Sequence, residues 1–322
     1  MRPRIIKKCV LLLGLILIET FINSAFAQET VIRMIVAFPA GGPVDFVART
    51  ISEPLGHELN ARILIENKPG GNGTVAAEYL ASQAADGKTL WLSSVGAISI
   101  NPTLYSKLSY DPLKDLAPIS LVVNNVELLV VNPNNPVNNG AEFVTQAKTK
   151  SLTMASTGKG GVPHLAMEQL AESTKTNLLH VPYKGAAPAI TDVMAGHVDG
   201  FFGDIPGLIG FIKSGKLKPI ALASNKRSSI FPQVKTFAEL GIEGVDSNNW
   251  YGLFAKQGTK SEDIVKLNKA IFNVLNQTDI KNKLLDSGTD PSPSSPENLT
   301  KLVKSDLSKW GTIIKSKNIK ED

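Results

Sequence analysis

Two apolar strands in this chain each run into a glycine-rich turn and then directly into a helix. The segments are Phe38-Pro39-Ala40-Gly41-Gly42-Pro43-Val44-Asp45 and Ala155-Ser156-Thr157-Gly158-Lys159-Gly160-Gly161-Val162-Pro163-His164. Glycine lets the backbone come close to a ligand. The N–H groups at the start of the following helix, together with its dipole, favour a negative group there. Two such turns more than a hundred residues apart predict two lobes gripping one small acid between them.

The rest of the chain repeats the same β-α grammar, which is that of an α/β protein with mainly parallel sheets flanked by helices. Strands are expected at 31–36, 62–65, 89–92, 127–131, 152–155, 178–180, 198–202 and 218–223. Apolar residues at spacings of three and four predict helices over 44–59, 74–83, 141–149, 163–172, 187–195 and 205–213. The Asn/Pro cluster from Asn132 to Gly140 reads as the start of a second lobe. A loose stretch, Gly241 to Asn249, precedes the strand-like Trp250 to Phe254 and fits the return crossing. Three helices near 261–276, 280–287 and 296–315 follow and are assigned to the first lobe. The expected division is residues 28–128 with 247–322 for one lobe and 129–246 for the other.

The first 27 residues are read as an export signal and are set apart from the fold. Arg2, Arg4, Lys7 and Lys8 precede an apolar run from Val10 to Ile18, and Ala25-Phe26-Ala27 is a small-x-small cleavage site. The run is shorter than the roughly 20 residues that a membrane span needs. Without these residues the chain has 30 Lys+Arg against 28 Asp+Glu, a net charge of +2. No basic stripe remains to favour nucleic acid. The only cysteine, Cys9, leaves with the signal, so no disulfide, thiolate nucleophile or cysteine metal site is expected in the remaining 295 residues. That length exceeds the usual single domain and favours two.

Enzyme chemistry finds little support in the remaining motifs. No His/Asp/Glu spacing matches a metal site. Ser156, His164 and Asp204 form a hydrolase triad only on paper, because no Gly-x-Ser-x-Gly elbow surrounds any serine. The first turn lacks the Lys-Ser or Lys-Thr of a phosphate loop, and neither turn has dinucleotide spacing, so no cofactor is expected. His164, at a helix start after the second turn, is either a site residue or an internal brace of the loop. Ser94 follows the third strand in a run of small residues. Asp204 is either the N-cap of the next helix or a carboxylate facing the cleft, where it would meet a ligand ammonium group.

Taken in order, several segments resemble the extracytoplasmic solute-binding proteins of tripartite tricarboxylate transporters, the Bug or TctC family. Besides the two turns they are Glu66-Asn67-Lys68-Pro69-Gly70-Gly71-Asn72-Gly73, Asn101-Pro102-Thr103-Leu104-Tyr105, Tyr110-Asp111-Pro112-Leu113-Lys114-Asp115, His180-Val181-Pro182-Tyr183-Lys184-Gly185, Lys226-Arg227, Trp250-Tyr251-Gly252-Leu253-Phe254-Ala255 and Gly258-Thr259. The resemblance covers nearly the whole chain after the signal. It implies a two-lobed, Venus-flytrap periplasmic binding fold of type II-like topology, with membrane permease subunits as partners. It further implies that one ligand carboxylate is held by Ala40, Gly41, Gly42 and Asp45 in one lobe and by Ser156, Thr157, Gly158, Gly161 and His164 in the other. Ser94 and Asp204 would then face the variable end of the ligand.

Two departures from the family pattern stand out. Gly161, Val162 and Pro163 precede the loop histidine where many relatives carry Ser or Thr. The order Phe202-Gly203-Asp204-Ile205-Pro206 moves the acidic group by one position.

The expected function is capture of a small carboxylate by a monomer in the periplasm and its delivery to a transporter. A di- or tricarboxylate or an aromatic acid is the first choice of ligand, and an amino acid, because of Asp204, the second. A sensor that presents its closed form to a receptor kinase is the alternative. An enzyme on the same scaffold is disfavoured, since a deaminase of that kind attaches its cofactor through a cysteine.

Overall fold

The computed structural model describes residues 30–321. The predicted signal, its cleavage site and Cys9 lie outside these residues. In chain order the elements are β1 (Thr30–Val36), α1 (Pro43–Leu59), β2 (Ala61–Asn67), α2 (Thr74–Ser82), β3 (Thr89–Ser94), α3 (Asn101–Leu104), α4 (Pro112–Asp115), β4 (Leu116–Val131), α5 (Gly140–Thr149), β5 (Leu152–Ser156), α6 (Val162–Thr174), β6 (Leu178–Pro182), α7 (Ala186–Ala195), β7 (Gly200–Asp204), α8 (Ile205–Lys213), β8 (Lys218–Ala223), β9 (Asn248–Lys256), α9 (Ser261–Asn276), α10 (Thr278–Asp286) and α11 (Pro296–Ser316).

Among the described residues the strands form one continuous, mixed sheet in the order β2-β1-β3-β9-β4-β7-β5-β6, with β8 also on β4. The outer pairings, β1 with β2 and β3 and β5 with β6 and β7, are parallel, as the β-α repeats predict. The strands between them are antiparallel, because β4 and β9 are crossings between the two lobes. Up to Val126, β4 pairs with β9; from Glu127 onward it pairs with β7 and β8. One strand thus belongs to both halves.

The strand expected at 127–131 is longer, and its first half, from Leu116, contains Pro118 and Asn124-Asn125. The register of β4 on β9 slips at Pro118/Ser120 and at Leu121/Val123, which absorbs the proline and bends the strand. Backbone groups freed by the second slip are taken up by the Pro/Ser loop before α11. Ser292 donates to the Val122 carbonyl at 3.0 Å, and Asn124 donates to that of Asp290 at 2.9 Å.

Each half-sheet is covered on both faces. Val47, Ile51 and Leu55 of α1 meet Met34 and Leu90 and the α9 residues Ile271 and Val274 on one face of the first half. On its other face Trp91 packs with α2 and with Trp310 and Ile314 of α11. In the second half, Phe143 of α5 and Leu170 of α6 lie against Phe202, while α7 and α8 cover the opposite face through Val193 and Leu208. Each such buried side chain contributes on the order of 1.5–3 kcal/mol. Asp306 is the polar exception in the α11 stripe. It is buried because it accepts from the Trp250 indole at 2.7 Å and pairs with Lys309 at 3.0 Å.

Candidate functional site

The two glycine turns face each other across a cleft between the half-sheets. Two contiguous spaces of about 180 and about 620 Å³ fill it, sharing Phe38, Ser94, Thr157, Ala186, Asp204 and Asn249 as walls. Among the predicted residues, Ala40, Gly41, Gly42, Ser94, Thr157, Gly161 and Asp204 line this cleft. Asp45, Ser156, Gly158 and His164 are placed behind the lining.

The first turn is held from behind. Gly41 takes φ +84°, which glycine adopts at little cost, and donates its N–H to the Asp45 carboxylate at 2.8 Å. The same carboxylate accepts from Arg49 at 2.8 Å and from the Asn67 amide at 2.9 Å. Burial pushes the Asp45 carboxyl up, but the hydrogen bonds from Arg49, Gly41 and Asn67 outweigh it and bring it down to about 2. Asn67 also donates to the Phe38 carbonyl at 3.0 Å, so β2 fixes the turn at its start. Helix α1 then opens with Pro43 after an extended Gly42, and its first amides have no helical acceptor.

The second turn is braced by a histidine pair, a buried His164 and a half-buried His180. Ser156 bonds the His180 ring nitrogen at 2.6 Å and the Gly158 carbonyl at 3.0 Å. His164 accepts the Gly160 N–H on Nδ1 at 3.0 Å, which leaves Nε2–H toward Glu168 at 3.6 Å. The two imidazoles stack, with centroids 3.7 Å apart. Burial, with His164 beside it, lowers His180 to about 4, so the ring is neutral near pH 7. Ser156, His164 and Asp204 do not form a triad: the Ser156 hydroxyl bonds His180, His164 Nδ1 accepts from Gly160, and Asp204 accepts from Asn249. Gly160 approaches Leu104 of α3 closely: a Cβ there would lie 2.5 Å from the leucine Cδ1, so the leucine would have to move.

The floor carries residues that sequence reading passed over. The segment Gly96–Ile100, which follows the run of small residues after the third strand, is a π-helical turn running into α3. Tyr110 holds it by donating to the Ala97 carbonyl, and Asn101 bonds Asn72, a cleft residue, at 2.7 Å. The Asn-Pro and Gly-Asn-Gly segments therefore shape one wall together. Glu127 lines the inner space although it is only 1% exposed, and its Oε2 has no partner. It stands opposite Asp204 in the β4–β7 register. Asn249 donates to Asp204 Oδ2 at 3.4 Å. Burial, then the neighbouring Asp204, raises the Glu127 carboxyl well above its ordinary value, and burial also raises Asp204. Glu127 was hidden in a run read only as a strand start; an acid at the head of an otherwise apolar strand was the available signal.

The described residues contain no group of three His, Cys, Asp or Glu placed to hold a metal ion, and no helix among them is long and apolar enough to cross a membrane.

A mixed α/β fold with a shared bent sheet and two glycine turns converging on one cleft defines the class of two-lobed periplasmic binding proteins. Residues 47–319 match the model of the tripartite tricarboxylate transporter family receptor, TctC, and the chain belongs to that family. It is 30% identical to protein BugT of Bordetella pertussis over 292 residues, covering 90% of each chain. Its fold is similar to MatC of Rhodopseudomonas palustris with bound malate, at TM-score 0.75 and 32% identity over 90% of this chain and all of that one. It is similar too to R. palustris Rpa4515 with adipate, at TM-score 0.80 and 27% identity over 90% of this chain and 98% of the other.

Proposed function

We propose that this chain is a periplasmic solute-binding protein that captures one small carboxylate between its lobes and delivers it to a tripartite tricarboxylate-type permease. The observation that carries the reading is the convergence of both glycine turns, each at the start of a helix, on a single cleft. Ala40, Gly41 and Gly42 on one side and Thr157 and Gly161 on the other line the cleft and, with ordered water, hold the carboxylate, while Gly158 shapes the second turn from behind. Asp45, Ser156 and His164 keep the turns in shape, and Ser94 and Asp204 meet the rest of the ligand. Malate and adipate in two similar structures support a small organic acid.

The lobes are residues 28–128 with 247–322, and 129–246, hinged where β4 and β9 cross. Closure completes the hydrogen-bond set and shifts the open–closed population by the ligand's differential affinity. The chain acts as a monomer without catalysis, after removal of its signal behind Ala27.

A thermal-shift screen of the chain from Gln28 with succinate, malate, adipate, citrate, benzoate and the common amino acids tests this reading. A true ligand at about 100 times its Kd adds roughly 2.7 kcal/mol of stability. Absence of any shift across the panel overturns it.

A further inference from the structure

Resting on the carboxylate-capture reading, we propose that Glu127 and Asp204 form an ammonium subsite at the floor of the cleft, so that the ligand is a small amino-bearing acid rather than a plain dicarboxylate. The two residues face each other across neighbouring strands, and both line the inner space. Glu127 is almost wholly buried, yet its Oε2 has no hydrogen-bond partner, so the fold itself does not use that oxygen. A buried acid left unpaired costs stability, and the cost is tolerated where a ligand supplies the missing partner.

The surrounding charge gives the sign of that partner. Among the described residues no Lys, Arg or His lines either space of the cleft. Asp204 is met by the Asn249 amide, which donates to it, by the Gly207 backbone and by the Tyr251 hydroxyl, none of them charged. A ligand with a second carboxylate would bring a third negative group beside two acids with no cation to offset it. An ammonium group supplies N–H donors and a positive charge to the same place, and its carboxylate remains for the amides of the glycine turns. The fit is to a zwitterion, with the acid end at the turns and the amino end at the pair.

The pair also makes the coupling to protons explicit. Glu127, on β4, faces Asp204 on β7 and Tyr251 on β9, none of them cationic. Without a ligand, burial and the neighbouring acid favour the protonated form of Glu127. An ammonium ligand requires it to ionise, so binding releases a proton and strengthens as pH rises. A dicarboxylate requires the proton to stay, and its binding weakens instead.

The test is isothermal titration of the chain from Gln28 with matched probes: 4-aminobutyrate against succinate, 5-aminovalerate against glutarate, and L-aspartate and L-alanine against malate and L-lactate. At least one amino-bearing probe is expected to bind ten times more tightly than its partner, and more tightly at pH 8 than at pH 6. Glu127→Gln, nearly isosteric, is expected to weaken that probe at least tenfold and leave the partner within threefold; Asp204→Asn is the second variant, read the same way. Tighter binding of every dicarboxylate or hydroxy acid, or equal loss of both members of a pair in Glu127→Gln with an unchanged melting temperature, overturns the subsite and leaves carboxylate capture standing. Binding of none of the probes, and none of the wider acid panel, overturns both.

Discussion

The imidazole of His164 lies flat on that of His180, 3.7 Å away and 5° from parallel, with neither ring at the cleft surface. The stack joins the start of α6 to the end of β6, and Ser156 ties it to the second glycine turn. A histidine placed here is structural scaffolding for the turn, one step behind the ligand.

This stack predicts acid sensitivity at mild pH. Burial and His164 lower His180 to about 4 in the folded chain, against about 6.5 when unfolded. Between those values the unfolded state binds a proton that the folded state refuses. Stability is therefore full above pH 6.5 and falls as pH drops toward 4, by up to about 3 kcal/mol. Urea unfolding at pH 7.5 and 4.5 measures the loss, and His180→Gln is expected to flatten it.

Asp45 should act in a separate window. Its carboxyl, held down to about 2, contributes stability above its unfolded value near 3.8 that is lost as pH falls through 2. Replacing it with Ala strands the Gly41 amide and the Asn67 side chain. A cost of about 1–3 kcal/mol is expected, with roughly 10–100-fold weaker carboxylate binding, because the turn loses its shape. Asp45→Asn retains acceptors for Gly41 and should keep more of both. Calorimetric titration with the best acid from the screen reads the difference.

The parts of the fold that repeat locally were legible in the sequence. α9, with Leu267, Ala270, Ile271 and Val274 on one face, and β8 match their expected bounds because periodicity alone decides them. The first half of β4 was not legible, since it is set by pairing with β9, which joins residues more than a hundred positions apart. The glycine turns were readable as candidate anion sites, being local strand-turn-helix events. Glu127 was not, because its meaning depends on the opposing position of Asp204. The same reason hid the His164–His180 stack, which joins rings from two separate elements.

Lys317, just past α11, reaches Glu168 of α6 at 3.5 Å. The pair connects the end of the chain to the helix that follows the second turn, and so tethers that helix from outside the cleft. The hydrogen bond from His164 and the Lys317 charge hold the Glu168 carboxyl low despite burial, which makes it an ionised partner at neutral pH. Lys317→Met is expected to leave the association rate of a ligand near its original value and raise its dissociation rate about two- to fivefold, the scale of a half-exposed pair worth up to about 1 kcal/mol. Stopped-flow release measured at low and high salt checks this, since only the unmodified chain should show the salt dependence.

Gly160 offers the sharpest steric prediction. Its φ is +72°, and the direction in which a Cβ would project is already occupied by Leu104 Cδ1 at 2.5 Å and Cδ2 at 2.6 Å. Gly160→Ala therefore carries two costs, about 1 kcal/mol for a left-handed alanine and a further 1–3 kcal/mol for displacing a buried leucine. Trimming the neighbour separates them. In Gly160→Ala with Leu104→Ala the steric part vanishes while the backbone part remains, so a double-mutant cycle on urea stability should give a coupling of at least 1 kcal/mol. Ligand affinity is expected to follow the same pattern, because the approach of the second turn to α3 sets how nearly the two glycine turns can meet. A coupling near zero would mean that the turn shifts freely away from α3, and that the spacing of the clamp is fixed by other contacts.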